Sequence, residues 1–204
     1  MRVRVVADAD TLFPAATRGL LIYLDYHDLI RLHWSPLILG ELRRALIETG
    51  RKKTLADAKT HEERMRDALP NALIAVEDVQ TRFQAVAAAV RSVKDVHVAA
   101  CAYHLVAAGV YPETETVTLV TRNTKDFRRT ALARLGIALL APDEFLAGLL
   151  EAKPREFMSA FRQFRTDLAS RPEPRVLLDR LKEDGQVRTA HRLVEFQQKG
   201  GVEL

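Results

Sequence analysis

The sequence has one cysteine, few aromatic residues and no long apolar run, and each of these shortages excludes a class of protein. The single cysteine, Cys101, allows no internal disulfide and excludes a cysteine-rich zinc site. Aromatic residues make up 6% of the 204 residues, whereas alanine, leucine and valine dominate. This composition favours helices and buried parallel strands over a sandwich or a barrel. No apolar stretch reaches about 18 residues, so we expect no membrane span.

The chain also lacks a concentration of charge in one half. The formal net charge is +4, with +2 on residues 1–150 and +2 on residues 151–204. Such a balance supports nucleic-acid binding only weakly. Asp8 and Asp10 come too early for a signal peptide, so we expect the protein to stay in the cytoplasm.

Short apolar runs alternate with helical patterns over the first three quarters of the chain. The spacing predicts buried strands at 3–7, 117–121 and 137–140. It predicts helices at 12–30 with Gly19 as a break, at 37–48, 54–69, 95–108 and 124–135, and from Pro142 onwards. This alternation predicts an α/β domain around a central parallel sheet.

After about residue 151 the strand pattern stops, and prolines divide a helical tail. One apolar helix face is formed by residues at spacings of four, three and four, namely Phe157, Phe161, Phe164 and Leu168. We therefore predict an α/β domain over residues 1–149 and a helical C-terminal extension over residues 150–204.

Polar side chains follow two of the predicted strands directly. Asp8 comes after the first strand, and Asn123 and Asp126 come after the strand at 117–121. In parallel α/β sheets, ligands bind outside the carboxyl ends of the strands. Helix capping by Asp8, and a turn and cap at Asn123, are the alternative explanations.

Two further carboxylates lie on predicted helices. Glu41 has apolar helical neighbours, Leu37 and Ala45 among them, so it lies on or beside an apolar face. An ionised carboxylate there costs on the order of several kcal/mol unless it is paired with a cation or bound to a metal. Asp95 begins a helix, and a role as its N-cap would explain it fully.

Taken together, these acidic residues predict a metal site beside a cationic surface. Carboxylates that converge without a cation repel one another, and oxygen ligands without His or Cys suit Mg²⁺ or Mn²⁺. Basic side chains near Asp126 suit a substrate that contains phosphate. These basic residues are Arg122, Lys125, Arg128 and Arg129.

Five segments, in this order and at this spacing, resemble PIN-domain proteins across about residues 1–149. The segments are VVADADTLFP at 5–14, SPLILGEL at 35–42, KDVHVAA at 94–100, LVTRNTKDF at 119–127 and APDEFL at 141–146. Within that family the chain resembles the VapC-type toxins, the ribonuclease half of toxin–antitoxin pairs. The resemblance implies a PIN-like three-layer α/β/α fold, metal-dependent endoribonuclease activity on RNA, a homodimer and a cognate antitoxin.

The resemblance also implies roles for individual residues. Asp8, Asp95 and Asp126 would bind Mg²⁺ or Mn²⁺, partly through water. Glu41 would orient the attacking water or act as a general base. The residues expected to contact the RNA are Asn123, Arg122, Lys125 and Lys94. Asp10 departs from the family, which commonly has Asn there, so we expect Asp10 to hold a turn beside Asp8.

Two alternative functions remain open. Asp8 and Asp10 after a strand also suggest a haloacid-dehalogenase-like phosphohydrolase, with Asp8 as nucleophile and Asp10 as acid/base. Against it, Leu12 stands where that class has Thr or Val, and no later Gly-Asp-x-x-x-Asp pattern follows. The second alternative is a catalytically inactive PIN-type RNA-binding module, which the presence of all the acidic residues disfavours. His97 and His104 are expected to be surface or packing residues.

Overall fold

A computed structural model of the chain describes residues 2–109 and 117–200. Its strands are β1 (Val3–Ala7), β2 (Ile30–His33), β3 (Val117–Val120) and β4 (Ile137–Leu140). They form one four-stranded parallel sheet in the order β2-β1-β3-β4, flanked by helices. The predicted α/β fold with a central parallel sheet and C-terminal helices is confirmed.

Helices fill most of the remaining described chain. The α-helices are α1 (Ala9–Leu12), α2 (Ala15–Tyr26), α3 (Pro36–Glu48), α4 (Leu55–Ala68), α5 (Val76–Gln80), α6 (Phe83–Val86), α7 (Val96–Ala107), α8 (Arg129–Arg134), α9 (Pro142–Ala152), α10 (Pro154–Asp167), α11 (Pro174–Glu183) and α12 (Val187–Gly200). Single turns of 3-10 helix cover Val93–Asp95 and Thr124–Asp126. In the described ranges, no helix combines the length and apolar character needed to cross a bilayer.

Strand β2 lies where the sequence pattern predicts the end of a helix. The backbone leaves the helical path after α2, with Asp28 in the left-handed region at φ 60°. The strand that follows is four residues long. A run this short shows no clear two-residue period, so the apolar residues of α2 and β2 merge into one apparent helical pattern.

The prediction that Gly19 breaks a helix is wrong, because α2 continues through it. The ring of Phe164 on α10 occupies the space beside Gly19. A Cβ added at Gly19 would come within 2.4 Å of the Phe164 Cε2 and Cζ atoms. Gly19 therefore allows close contact between two helices, at the expense of some helix propensity.

We expect Gly19→Ala to lower the free energy of unfolding by about 1–3 kcal/mol, because the new methyl group overlaps the Phe164 ring. Gly148→Ala in α9 is the matched control, since nothing lies within 4 Å of its added Cβ, and it should stabilise by up to about 1 kcal/mol. Urea unfolding measures both. Phe164→Leu should restore part of the loss in the Gly19→Ala background. Equal effects of the two alanines would contradict the packing role of Gly19.

The chain divides into two compact units, each made of separate stretches. The sheet unit comprises Val3–Phe13 and Arg31–Leu140. The helical unit includes Pro14–Ile30 and the stretch from Ala141 onwards. The domain boundary between residues 149 and 150 stays a prediction.

Within the helical unit, α2 packs on α10 and α11, and α9 packs on α10 and α12. Three residues of the predicted apolar face, Phe157, Phe161 and Phe164, are buried here. The fourth, Leu168, follows the end of α10 and is half-buried. Two aspartates each cap a helix that lies far from the aspartate in the sequence. The Asp143 carboxylate accepts the Thr189 N–H at 2.9 Å at the start of α12, and Asp184 accepts the Thr17 N–H at 2.8 Å in the first turn of α2. These bonds satisfy N–H groups that have no partner within the helix.

Candidate active site

An open cavity of about 380 Å³ lies in the sheet unit, beside the residues that follow β1 and β3. Its polar lining is mostly acidic and consists of Asp8, Asp10, Glu41, Thr49, Asp95, Arg122 and Asn123. Five of the eight site residues predicted from the sequence are therefore together at one cavity. We call this space the acidic cavity.

The register of the sheet explains why the residues after β1 and β3 meet. Strands β1 and β3 are parallel, and Ala7 is paired with Val120. The next residue of each strand, Asp8 and Thr121, therefore lies beside the other. The Asp8 N–H donates to the Val120 carbonyl at 3.0 Å, which continues the ladder by one bond.

The hydroxyl of Thr121 lies between two carboxylates. Its Oγ1 is 2.9 Å from Asp8 Oδ2 and 3.2 Å from Asp10 Oδ2, and it accepts the Asn123 N–H at 3.1 Å. One hydroxyl has one proton, so the two carboxylates compete for it. Thr121 is fully buried and was not among the predicted site residues. The signal that could have identified Thr121 is its position: it is a hydroxyl residue at the end of the predicted strand at 117–121, shortly before Asn123.

Asp10 fixes the turn after β3. Its two carboxylate oxygens accept the Arg122 N–H at 3.2 and 3.1 Å. This contact joins the first helix of the chain to a turn more than a hundred residues later. The structure thus gives Asp10 the turn-holding contact expected from the sequence.

Asp8 is 5% exposed, and burial raises its pKa to about 7. The negative charges of Asp10 and Glu41 act in the same direction, whereas the hydrogen bonds from Thr121 and Ala9 partly oppose them. The Ala9 N–H donates to Asp8 Oδ1 at 2.6 Å, so Asp8 also caps α1. Capping and a place in the cavity are therefore compatible for this residue.

Asp95 precedes α7, but its side chain makes no capping hydrogen bond. The capping explanation for this residue is therefore wrong, and the carboxylate lines the acidic cavity instead. Burial raises the pKa of Asp95, and the charges of Asp126 and Glu41 raise it further. Glu41 thus acts electrostatically on both Asp8 and Asp95.

Glu41 is half-buried and has two basic partners. Its carboxylate oxygens lie 3.5 Å from His97 Nε2 and 3.7 Å from Arg44 Nη2. The contact with His97 lowers the pKa of Glu41, against the effect of burial, and the charges of Arg44 and Lys94 lower it further. Glu41 is therefore kept in its ionised form inside an acidic group.

His97 is oriented by the backbone. Its Nδ1 lies 2.8 Å from the Lys94 carbonyl, and a carbonyl oxygen only accepts, so Nδ1 donates and Nε2 is directed to Glu41. Burial lowers the pKa of His97, but the interactions with Glu41 outweigh it and the net direction is upward. The sequence predicts a packing or surface residue here. The position is buried, as packing implies, but the ring also contacts a cavity carboxylate.

Three predicted site residues do not line the acidic cavity. Asp126 is half-buried in the 3-10 turn Thr124–Asp126, and its charge raises the pKa of Asp95. Lys94 and Lys125 are exposed. Metal binding by Asp126 and RNA contact by the two lysines stay predictions.

The donor set of the acidic cavity fits a hydrated hard cation. Within residues 2–109 and 117–200, no group of three or more His, Cys, Asp or Glu side chains is placed to hold a metal ion between them. Mg²⁺ in proteins commonly keeps several waters and is held by only one or two carboxylates. Burial, together with neighbouring acidic charges, raises the pKa of both Asp8 and Asp95, and a divalent cation bound beside them would favour their ionised forms.

Replacing Thr121 tests whether its hydroxyl organises the carboxylates. We expect Thr121→Val to weaken Mn²⁺ binding by about 10- to 100-fold, the range for lost support of a metal ligand, because Asp8 and Asp10 lose their shared donor. Thr121→Ser keeps the hydroxyl and is the control. Titration calorimetry with Mn²⁺ measures the affinities. Equal affinities of the Val and Ser variants would contradict this role.

The fold and the site define an α/β protein with an acidic cavity at the carboxyl ends of parallel strands. Residues 142–195 match the family model of the VapC50 C-terminal domain, which points to the VapC family of toxins. The match covers about a quarter of the chain, within the helical unit, and none of the residues of the acidic cavity. Comparisons with curated protein sequences and with solved structures each gave no match.

Proposed function

We propose that the protein is a metal-dependent endoribonuclease. The observation that carries the proposal is the convergence of four carboxylates in one cavity, beside the exposed Arg122 and Asn123. Such a cavity has the negative charge to hold a divalent cation, and its cationic edge suits a phosphodiester. The match of residues 142–195 to a VapC domain agrees with this class of enzyme.

Asp8 and Asp95 would hold Mg²⁺ or Mn²⁺, with Asp126 contributing through water. Both carboxylates line the cavity, and the charge of Asp126 acts on Asp95. When bound, the ion would supply Lewis-acid stabilisation of the charge that develops on the scissile phosphate. Thr121 and Asp10 would keep Asp8 and the turn after β3 in place.

Glu41 would orient the attacking water and accept its proton. The contact with His97 keeps Glu41 ionised, as a general base requires. The water oxygen forms a bond to phosphorus as the bond to the 3′ oxygen breaks in line, and the leaving 3′ oxygen takes a proton from bulk water. The products are a 5′-phosphate and a 3′-hydroxyl.

Exposed cations would neutralise and position the RNA backbone. Arg122 lines the cavity, and Lys94 and Lys125 are exposed on turns that adjoin Asp95 and Asp126. Asn123 is exposed at the cavity and can donate to a phosphate or sugar oxygen. Contacts of this kind bind the backbone without selecting the sequence.

We expect cleavage of single-stranded RNA to stop in EDTA and to return with Mn²⁺. Glu41→Gln should lower kcat by about 100-fold or more, the usual contribution of a general base. Glu48→Gln is the matched control, since Glu48 is exposed on the same helix and does not line the cavity. Gel analysis of end-labelled RNA gives both rates and the product ends. Cleavage that is indifferent to EDTA would refute the proposal.

The protein is further proposed to be the toxin of a toxin–antitoxin pair, active as a homodimer and neutralised by a cognate antitoxin. The match of residues 142–195 to the VapC50 C-terminal domain supports the toxin and its antitoxin. The homodimer rests on the resemblance to the VapC-type toxins. A small overlapping reading frame that encodes a DNA-binding protein next to this gene would agree with it. A gene without such a neighbour would favour a nuclease of RNA processing.

A further inference from the structure

A second cavity in the sheet unit adjoins the acidic cavity and shares one wall with it. It has a volume of about 250 Å³, and Glu41 lines both cavities. It is also lined by Leu37, Arg44, Gln80, Phe83, Val93 and His97. We call this space the side cavity. Because Glu41 lines both cavities, a polymer bound in the acidic cavity can reach the side cavity.

The side cavity combines an aromatic face with two kinds of polar group. Phe83 and Leu37 are half-buried, so part of each apolar side chain is available to a ligand. Gln80 is exposed and has an amide that both donates and accepts. The side chain of Arg44 is 68% exposed, and its guanidinium lies 3.7 Å from the Glu41 carboxylate.

These groups match the needs of an unpaired nucleobase. Proteins that bind single-stranded RNA stack splayed-out bases on aromatic rings or guanidinium planes and bond to the base edges through amides. The lining of the side cavity includes the Phe83 ring, the Gln80 amide and the Arg44 guanidinium. Arg44 and His97, the basic residues of this lining, both lie within 4 Å of the Glu41 carboxylate, which offsets their charge. A neutral base therefore suits the interior better than a phosphate.

We propose that the side cavity binds the base of the nucleotide next to the scissile phosphate of single-stranded RNA. Phe83 stacks on the base, Gln80 bonds to its edge, and Arg44 contacts the adjoining phosphate. The inference rests on the proposed function for the nature of the polymer. It adds that the enzyme has a sequence preference at one nucleotide and that this preference depends on Gln80.

Abasic RNA tests the stacking directly. Binding of fluorescein-labelled single-stranded RNA in EDTA is measured by anisotropy, with each nucleotide made abasic in turn. In the wild-type protein, one abasic position should cost roughly 10- to 100-fold in affinity, as expected for one lost base–aromatic stack. Phe83→Leu keeps an apolar side chain in place. On intact RNA its affinity should be lower than that of the wild type by about the same factor. Making the sensitive nucleotide abasic should then lower the affinity of this variant no further.

Two further variants complete the test. Tyr26→Ala removes an exposed aromatic side chain outside the side cavity and should bind every RNA as the wild type does. Gln80→Ala should keep the abasic effect but reduce the preference among the four bases at that position. Circular dichroism and unfolding curves check that each variant is folded.

The outcomes separate this inference from the proposed function. Suppose that the wild type cleaves RNA with Mn²⁺, but that each abasic position lowers the RNA affinity of Phe83→Leu as much as that of the wild type. The side cavity is then not a base site, and the inference is overturned. If Phe83→Leu changes only self-association in light scattering, the cavity is a protein contact, which also overturns it. If the abasic effect depends on Phe83 but no RNA is cleaved, the side cavity is a base site as inferred, and it is the proposed nuclease function that fails.

Discussion

Asp8→Asn should lower metal-dependent RNA cleavage by roughly 100-fold or more, whereas Asp10→Asn should lose less than about tenfold. Asp8 is buried in the acidic cavity, and Asn removes a full negative charge from a proposed ligand of a hard cation. Asp10 acts through hydrogen bonds from the Arg122 N–H and Thr121, and an Asn side-chain oxygen can still accept them. Rates on end-labelled RNA with Mn²⁺ measure both effects.

The same two variants decide between the nuclease and the phosphohydrolase. In a haloacid-dehalogenase-like mechanism Asp10 is the acid/base, so both variants would lose turnover of a small phosphate ester. p-Nitrophenyl phosphate is the control substrate, and we expect no metal-dependent turnover of it by the wild type. A folded but inactive Asp10→Asn protein, or an active Asp8→Asn protein, would overturn the assignment of the two aspartates.

The titration of His33 should lower the free energy of unfolding by about 2–3 kcal/mol between neutral pH and pH 4.5. Burial lowers the pKa of His33 to about 4, and the charges of Arg31, Arg4 and His104 lower it further, against a backbone hydrogen bond at Ala72. In the unfolded chain the pKa is near 6.5, so the unfolded state takes up the proton first. The stability that the neutral ring contributes is therefore complete above about pH 6.5 and is lost as the pH falls towards 4.

Urea unfolding at pH 7.5 and pH 4.5 measures this effect as a difference between proteins. The raised pKa of Asp8 favours the folded state as the pH falls through the same range, so the total stability of the wild type changes less than His33 alone would cause. His33→Gln removes the titrating ring, and its loss between the two pH values should be smaller than that of the wild type. His191→Gln, exposed on α12, is the control. Parallel pH profiles of wild type and His33→Gln would contradict the assignment.

Local signals in the sequence predicted much of the fold. Strands β1 and β4 have the predicted ends, because short β-branched or aliphatic runs between polar residues are typical of buried parallel strands. Helix α3 begins at Pro36, where Ser35 accepts the Ile38 N–H at 3.3 Å. Capping depends on side chains within one turn, so it can be recognised without knowledge of the rest of the structure.

The features that the sequence did not predict depend on contacts between distant residues. Gly19 lies in a helix because a ring from α10 packs on it, and β2 is a strand because it pairs at an edge of the sheet. Thr121 joins the site through the register of β1 and β3. His97 contacts Glu41 because α3 and α7 pack together. A single sequence gives the period of each element but not which elements pair.

The discontinuity of the helical unit has a consequence for synthesis on the ribosome. Helix α2 is made early, but the helices that cover its apolar face, α10 and α11, begin only at Pro154 and Pro174. The Asp184 carboxylate that caps α2 comes later still. A nascent chain therefore exposes the apolar face of α2 until most of its length has been translated, and a premature stop leaves that face uncovered for chaperones and proteases. Complete translation is thus a condition for a finished helical unit.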